Sequence, residues 1–333
     1  MSKRIFYLDV IKVLAMFMVV FNHCHLSINN RSDFVFICHY LLFFISKTAV
    51  PLFFMISGAL LIEKNDSTGK IIKRIIRVII PLISITILWR LFDNYIHSSN
   101  NDFWPYWLWY LLALIIIYIC LPFINKHIKN LNYKLFFLFF LIIPSILFSI
   151  NIFYNIYIGN SIHNNLFFAL FPLPIAYFVL GFYLKNKKIT KKIKNISIFV
   201  LLVTLITVTS FAFIIYKNSI SFIQLDSYKS IFTLLMSPAL FIIIKYLFEN
   251  YNKNNEFSLL ILNLSNNSFA IYLFHIFVIE LLYKTTFFKE LLSFNSFEAV
   301  LVIQAFTIIL LDIIFTILKH IPILKNVLNR YFS

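Results

Sequence analysis

Charge is the first scarcity of this chain. Only 13% of its 333 residues are Asp, Glu, Lys or Arg, where a soluble domain carries about 25%. A chain so poor in charge need not present most of its surface to water. Cysteine is scarce too. Cys24, Cys38 and Cys120 make an odd number with no C-x-x-C pair, so neither a disulfide framework nor a zinc ribbon is implied. No internal repeat is evident, which removes the inverted-repeat signature of many transporters. No polar stretch exceeds a loop, so residues 1–333 read as one integral membrane domain. The paucity of Gly beside abundant Ile, Asn, Lys and Phe reflects base composition and points to no function.

What is present is apolar: 61% of the residues, gathered in runs such as Leu135 to Ile150 and Ile198 to Ile215. A bilayer core about 30 Å thick needs roughly 20 helical residues, or somewhat fewer at the limit. The expected fold class is therefore all-α, a polytopic transmembrane bundle. About ten helices are predicted, near 5–27, 35–62, 75–96, 107–124, 135–150, 166–184, 196–216, 228–248, 260–283 and 297–318. The second is long for one span, and Pro51 is expected to kink or break it. Lys3 and Arg4 precede the first apolar run as in a signal peptide. That run carries Asp9 and Lys12 and lacks a small-residue cleavage site, so it reads as a retained helix.

The formal charge of +16 would suit nucleic acid, but its placement argues for none. Lys and Arg cluster in short loops between apolar runs. With the N-terminus inside, 20 of the 29 Lys and Arg fall in inner segments and five in outer ones. Both termini are then cytoplasmic. The loop Asn101 to Trp109, rich in Trp and Tyr, marks the outer interface.

An ionisable side chain inside a span is costly and is a functional candidate by default. The first helix carries three: Asp9, Lys12 and His23. An interval of 11 residues closes within roughly 20° of a whole number of turns. Lys12 and His23 thus share a face, about 16 Å apart along the axis. Asp9 is placed to pair with Lys12 at i,i+3. From this helix alone, a snorkelling lysine and an interfacial histidine remain an equal alternative. His275 and Glu280 fall near the depth of His23 on a later helix and could orient its ring or bind substrate hydroxyls; interfacial solvation is the alternative. Asp312 is another intramembrane charge, with no partner evident in the sequence. A metal site built from His23, Cys24, His25, Cys38 and His39 is disfavoured, because Cys24 and His25 leave the His23 face; no metal is expected. The His97-to-Asp102 interval has the His-x4-Asp spacing of soluble acyltransferases, which reads as chance in an outer loop.

The opening "RIFYLDVIKVLAMFMVVFNH" resembles the first helix of the acyltransferase-3 family of membrane acyltransferases, which carries Arg, ten residues, then His. Here the pair is Lys12 and His23. "AVPLFFMISGALL" (Ala49 to Leu61) resembles the family's second-helix signature. "KRIIRVIIP" supplies its Arg-x-x-Arg as Arg74 and Arg77. "WLWYLLALIIIYICLP", "YFVLGFYL" and "NSFAIYLFHIFVIELL" follow in family order, so the likeness covers nearly the whole chain. Members consisting of this membrane domain alone, the enterobacterial-common-antigen type of O-acetyltransferase among them, have a similar length and layout.

The resemblance implies transfer of an acyl group, usually acetyl, from cytoplasmic acyl-CoA. The acceptor is a hydroxyl of a surface polysaccharide or lipid-linked glycan. A multi-pass protein of a bacterial cell membrane, lying in the lipid bilayer, is expected. A sugar hydroxyl needs a base titrating near neutrality, and His23 is that base or a transient acyl carrier. Arg74 and Arg77 at the inner mouth suit the phosphates of acetyl-CoA; positive-inside anchoring is their plainer role. Ser57-Gly58 permits ligand contact or close helix approach. Lys12 keeps the charge of the family's Arg but loses its planar fork, which puts its role in question. No fused extracytoplasmic domain follows the tenth helix, so acceptor chemistry is expected within the membrane domain or on a partner. The rival from another class is a transporter or flippase for glycans or small molecules.

Overall fold

The computed structural model describes residues 4–24, 32–64, 66–97, 105–158, 172–217, 228–251, 255–293 and 297–332. Among these there is no strand. The helices are α1 (Phe6–His23), α2 (Asp33–Ser46), α3 (Ala49–Leu61), α4 (Thr68–His97), α5 (Trp109–His127), α6 (Tyr133–Phe137) and α7 (Ile143–Ile158). They continue as α8 (Leu173–Asn186), α9 (Lys191–Lys217), α10 (Ile231–Phe248), α11 (Glu256–Lys284), α12 (Thr286–Ser293), α13 (Phe297–His320) and α14 (Pro322–Tyr331). A π-helical turn at Leu138–Ile142 joins α6 to α7 as one run. Nine runs among the described residues are long and apolar enough to cross a membrane. The remaining predicted helix, 166–184, corresponds to α8, of which the part before residue 172 lies outside the described residues. The chain is thus the expected all-α polytopic bundle.

The second span breaks earlier than Pro51. At Lys47 and Thr48 the backbone N–H groups reach back only three residues, to the carbonyls of Phe44 and Ile45. The hydroxyls of Ser46 and Thr48 donate to the carbonyls of Phe43 and Ile45 at 2.6 and 2.7 Å. Hydroxyls that take local carbonyls loosen the helical ladder. Pro51 then falls in the first turn of α3, where a missing N–H is no loss.

α1 lies at the centre, packed by α2, α3, α10, α11 and α13. Its apolar side chains, such as Ile11, Ala15 and Met16, are fully buried. Large side chains on α4, α7, α9 and α13 point outward instead, among them Leu91, Leu147, Phe199 and Ile309. Helices satisfy most of their backbone groups internally, so such a surface suits lipid.

The closest packing is between α3 and α8. A Cβ on Gly58 would sit 1.7 Å from the carbonyl oxygen of Phe178, and one on Gly181 would sit 1.9 Å from that of Met55. Both positions must lack a side chain for the backbones to meet. The C-terminal end of α8 is held by Lys245 of α10, which is 2% exposed. Its ammonium donates to the carbonyls of Leu184, Lys185 and Lys187 at 3.1, 2.6 and 2.8 Å. All three donors of the lysine are thereby used, on carbonyls that the helix end leaves without partners.

Candidate active site

α1 and α11 run side by side in the same direction. Near their N-terminal halves, Ser265 of α11 meets both Asp9 and Lys12. Its hydroxyl donates to Asp9 Oδ1 at 2.6 Å, and its carbonyl accepts from Lys12 Nζ at 2.8 Å. Ten residues further along α11, His275 meets His23, with ring centroids 5.0 Å apart. Ten residues of α11 and the 11 from Lys12 to His23 rise nearly equally, about 15 and 16 Å. Parallel packing therefore delivers a charged cluster at one end and two imidazoles at the other.

The expected i,i+3 pairing of Asp9 with Lys12 is replaced by a stronger arrangement. Arg4 clamps Asp9 with two parallel bonds, Nε to Oδ2 at 2.9 Å and Nη2 to Oδ1 at 2.8 Å. The planar guanidinium matches the carboxylate in a way an ammonium cannot. Lys12 donates to the Ser265 carbonyl, its one hydrogen-bond acceptor among the described residues, and stays within electrostatic reach of Asp9.

This cluster opens on a cavity of about 550 Å³ between α1, α3, α4, α5, α11 and α14. Its cations are Arg4, Lys12, Arg74, Arg77 and Arg330, against the one carboxylate of Asp9. Its deeper walls are apolar and aromatic, with Phe53, Tyr110, Phe269 and Tyr272. Ser57 contributes to the wall beside Tyr110. Its neighbour Gly58 faces α8. Of the two residues, Ser57 faces the cavity and Gly58 serves close helix approach. Arg74 is already engaged: its Nη2 and Nε donate to Asp66 Oδ2 at 2.7 and 3.2 Å. Arg77 is exposed at the cavity edge. Just outside the span, burial and then the nearby Arg74 push the Lys64 ammonium below its usual pKa. With five cations against one carboxylate in its lining, the cavity carries a positive field that attracts an anion.

The histidine pair lies beyond the cavity's aromatic end. His275 is wholly buried, and its Nδ1 is 2.6 Å from the Tyr272 carbonyl. A carbonyl can only accept, so Nδ1 carries the hydrogen and Nε2 holds the lone pair. That Nε2 has no hydrogen-bond partner among the described residues. His23 is half-buried at the end of α1, between His275 and the ring of Tyr106, which is 5.7 Å away. Glu280 is within electrostatic reach of Tyr106. It sits five residues past His275, roughly 140° around α11, so the two do not share a face. Their common neighbourhood is the end of the bundle at which α1 finishes.

The sequence-predicted residues therefore fall in two groups. Asp9, Lys12, Ser57, Arg74 and Arg77 share the cavity; His23 and His275 form the imidazole pair, with Glu280 nearby. Five further participants escape the sequence reading. Ser265 and Ser268 stand in the polar run Ser265-Asn266-Asn267-Ser268 inside a span, which the cost of intramembrane polarity could have flagged. Arg4, Asp66 and Arg330 sit in flanking segments where charge is ordinary, and no local signal marks them. Asp312 finds partners on α11: Asn267 Nδ2 donates to Oδ1 at 2.7 Å and Asn263 Nδ2 to Oδ2 at 3.1 Å. Lys319 donates to Asn267 Oδ1 at 2.7 Å. This cluster ties α13 to α11. His25, Asn101, Asp102 and Trp104 lie outside the described residues.

No curated protein and no solved structure matches the chain. A family model described as an acyltransferase domain matches residues 5–317, a stretch that includes the histidine pair, Arg74, Arg77 and the charged end of α1. By that match over nearly its whole length, in a bundle of membrane-crossing helices, the chain belongs to the acyltransferase-3 family of membrane acyltransferases.

Proposed function

We propose that this protein moves an acyl group, acetyl in the simplest case, from acyl-CoA to a hydroxyl of a surface or lipid-linked polysaccharide in a bacterial cell membrane. The observation that carries the reading is the arrangement along α1 and α11: an anion-attracting cavity at one end and two imidazoles about 16 Å away. The cavity cations suit the phosphates of CoA. Its aromatic depth suits the uncharged arm that carries the thioester.

The acceptor hydroxyl approaches the imidazole pair from the outer side. His23 takes its proton as the oxygen bonds to the acyl carbon. The carbon–sulfur bond breaks, and the proton finally rests on the CoA thiol. A buried neutral His275, with its Nδ1 fixed on the Tyr272 carbonyl, holds the His23 ring in place and keeps a second lone pair beside it. In the two-step variant His23 Nε2 or Nδ1 carries the acyl group before the hydroxyl arrives.

Loss of a general base lowers a rate by about 10²–10⁴. His23→Ala should therefore abolish acylation of the glycan, read by mass spectrometry, at unchanged protein level. His25→Ala should retain most of it, because the ring that meets His275 is that of His23. Full acylation with His23→Ala would overturn the assignment and return weight to a transport function. Quenching the purified protein with labelled acyl-CoA and no glycan separates the two chemistries, since only the two-step variant leaves label on His23.

A further inference from the structure

The cavity has a wall that the family match does not include. The match ends at residue 317, and α14 begins at Pro322. This short helix folds back beneath the bundle. Leu328 is buried in the cluster that contains Phe315 and Ile271, and the Phe332 ring lies 6.2 Å from that of Phe274 on α11. The helix also packs against α4, the helix that bears Arg74 and Arg77. So anchored, it brings Arg330 and Tyr331 to the cavity. The Arg330 guanidinium carbon stands 5.2 Å from the Tyr331 ring centroid, the spacing of a cation over an aromatic face.

The five cavity cations differ in what already occupies them. Arg4 is clamped on Asp9, Arg74 on Asp66, and Lys12 is turned to Ser265. Arg77 and Arg330 are both exposed and reach the same cavity from different helices. Among the described residues neither donates to a carboxylate or a backbone carbonyl, and the Arg330 guanidinium has only its ring contact with Tyr331. Two guanidinium groups converging from separate elements are a common solution for a phosphate.

We propose that α14 is a structural part of the donor site and that Arg330, together with Arg77, binds a phosphate of the CoA nucleotide. This rests on the acyl-CoA reading above. Arg330 acts at the anionic end of the donor, far from the acyl carbon. Its loss should weaken donor binding and leave the chemical step intact. Charge-assisted hydrogen bonds of this kind correspond to about ten- to a hundredfold in affinity.

The test compares acetyl-CoA with acetyl-pantetheine, which has the same thioester arm and no phosphate. In purified full-length protein, Arg330→Ala should raise KM for acetyl-CoA about tenfold or more and leave kcat unchanged. KM for acetyl-pantetheine should not move. Arg330→Lys should recover only part of the loss, because it keeps charge without the fork. A thermal unfolding curve matching wild type shows that α14 stays docked. An unchanged acetyl-CoA KM in Arg330→Ala overturns the proposal, as does an equal rise for both donors, which marks a structural effect. If wild-type protein binds no CoA, the acyl-CoA reading itself fails and this proposal with it, an outcome distinct from either.

Discussion

A single methyl group at Gly58 should force apart two helices that now touch backbone to backbone. In Gly58→Ala the new Cβ would lie 1.7 Å from the Phe178 carbonyl oxygen, whereas carbon–oxygen contacts settle near 3.3 Å. α3 and α8 must separate by about 1.5 Å to accept it. The obstacle is backbone, which cannot rotate away as a side chain would. The reciprocal contact of Gly181 with Met55 is lost in the same movement. Overpacking typically costs about 1–3 kcal/mol, and this case belongs at the upper end. In a chain of this size that is a fall in Tm of roughly 4 °C. Ser57 would move with its neighbour, and a displacement near 1 Å can lower a rate about 10²-fold. The protein supplies its own control in Gly69. No atom lies within 4 Å of a Cβ there, so Gly69→Ala should be neutral or stabilise by up to about 1 kcal/mol through helix propensity. Thermal unfolding of both variants in detergent measures the difference. An unchanged Tm for Gly58→Ala, or an equal fall for Gly69→Ala, refutes the steric argument.

Arg74→Ala with Arg77→Ala should weaken acyl-CoA binding by more than tenfold while the protein still inserts in the membrane; calorimetric titration giving wild-type affinity would remove both arginines from the site. Lys245→Ala should strand three carbonyls at the end of α8 and lower stability by about 2–3 kcal/mol, measured as a loss of Tm in detergent; a Tm within error of wild type would show that the cap contributes nothing. The charge bias makes a topological prediction: cysteines at positions 188 and 325 should react only from the cytoplasmic side and one at position 101 only from outside. Labelling of position 188 in intact cells would reverse the orientation.

Much of the fold is legible because the bilayer makes each helix declare itself as a long apolar run. Helix ends are less so. Pro51 draws attention, yet the break at Lys47–Thr48 follows from hydroxyl bonding that any Ser or Thr can make or forgo. The site is legible where periodicity on one helix suffices, as for Lys12 and His23. Pairing between helices is another matter. That His275 meets His23 depends on α11 running parallel to α1 in matching register, and that Arg4 displaces Lys12 from Asp9 depends on how the chain enters α1. Asp66 reaches Arg74, and Arg330 the cavity, from segments whose sequence looks like any cytoplasmic flank. Short-range pattern records what a residue costs in lipid, and only the packed bundle records whom it meets.

The stretch of α1 between Lys12 and His23 also works as a ruler. It contains neither Pro nor Gly, and both ends are pinned, Lys12 to the Ser265 carbonyl and, beside His23, the Asn22 amide to the Ser46 carbonyl at 2.9 Å. The helix cannot shorten or slide, so the gap of about 16 Å is fixed. A small activated donor such as acetyl phosphate, whose carbonyl adjoins its charge, would be held at the cationic end with its acyl group out of reach of the imidazoles. Only a donor with a long neutral tether between phosphate and thioester spans the gap, and the protein would discriminate by length before any contact with the acyl group.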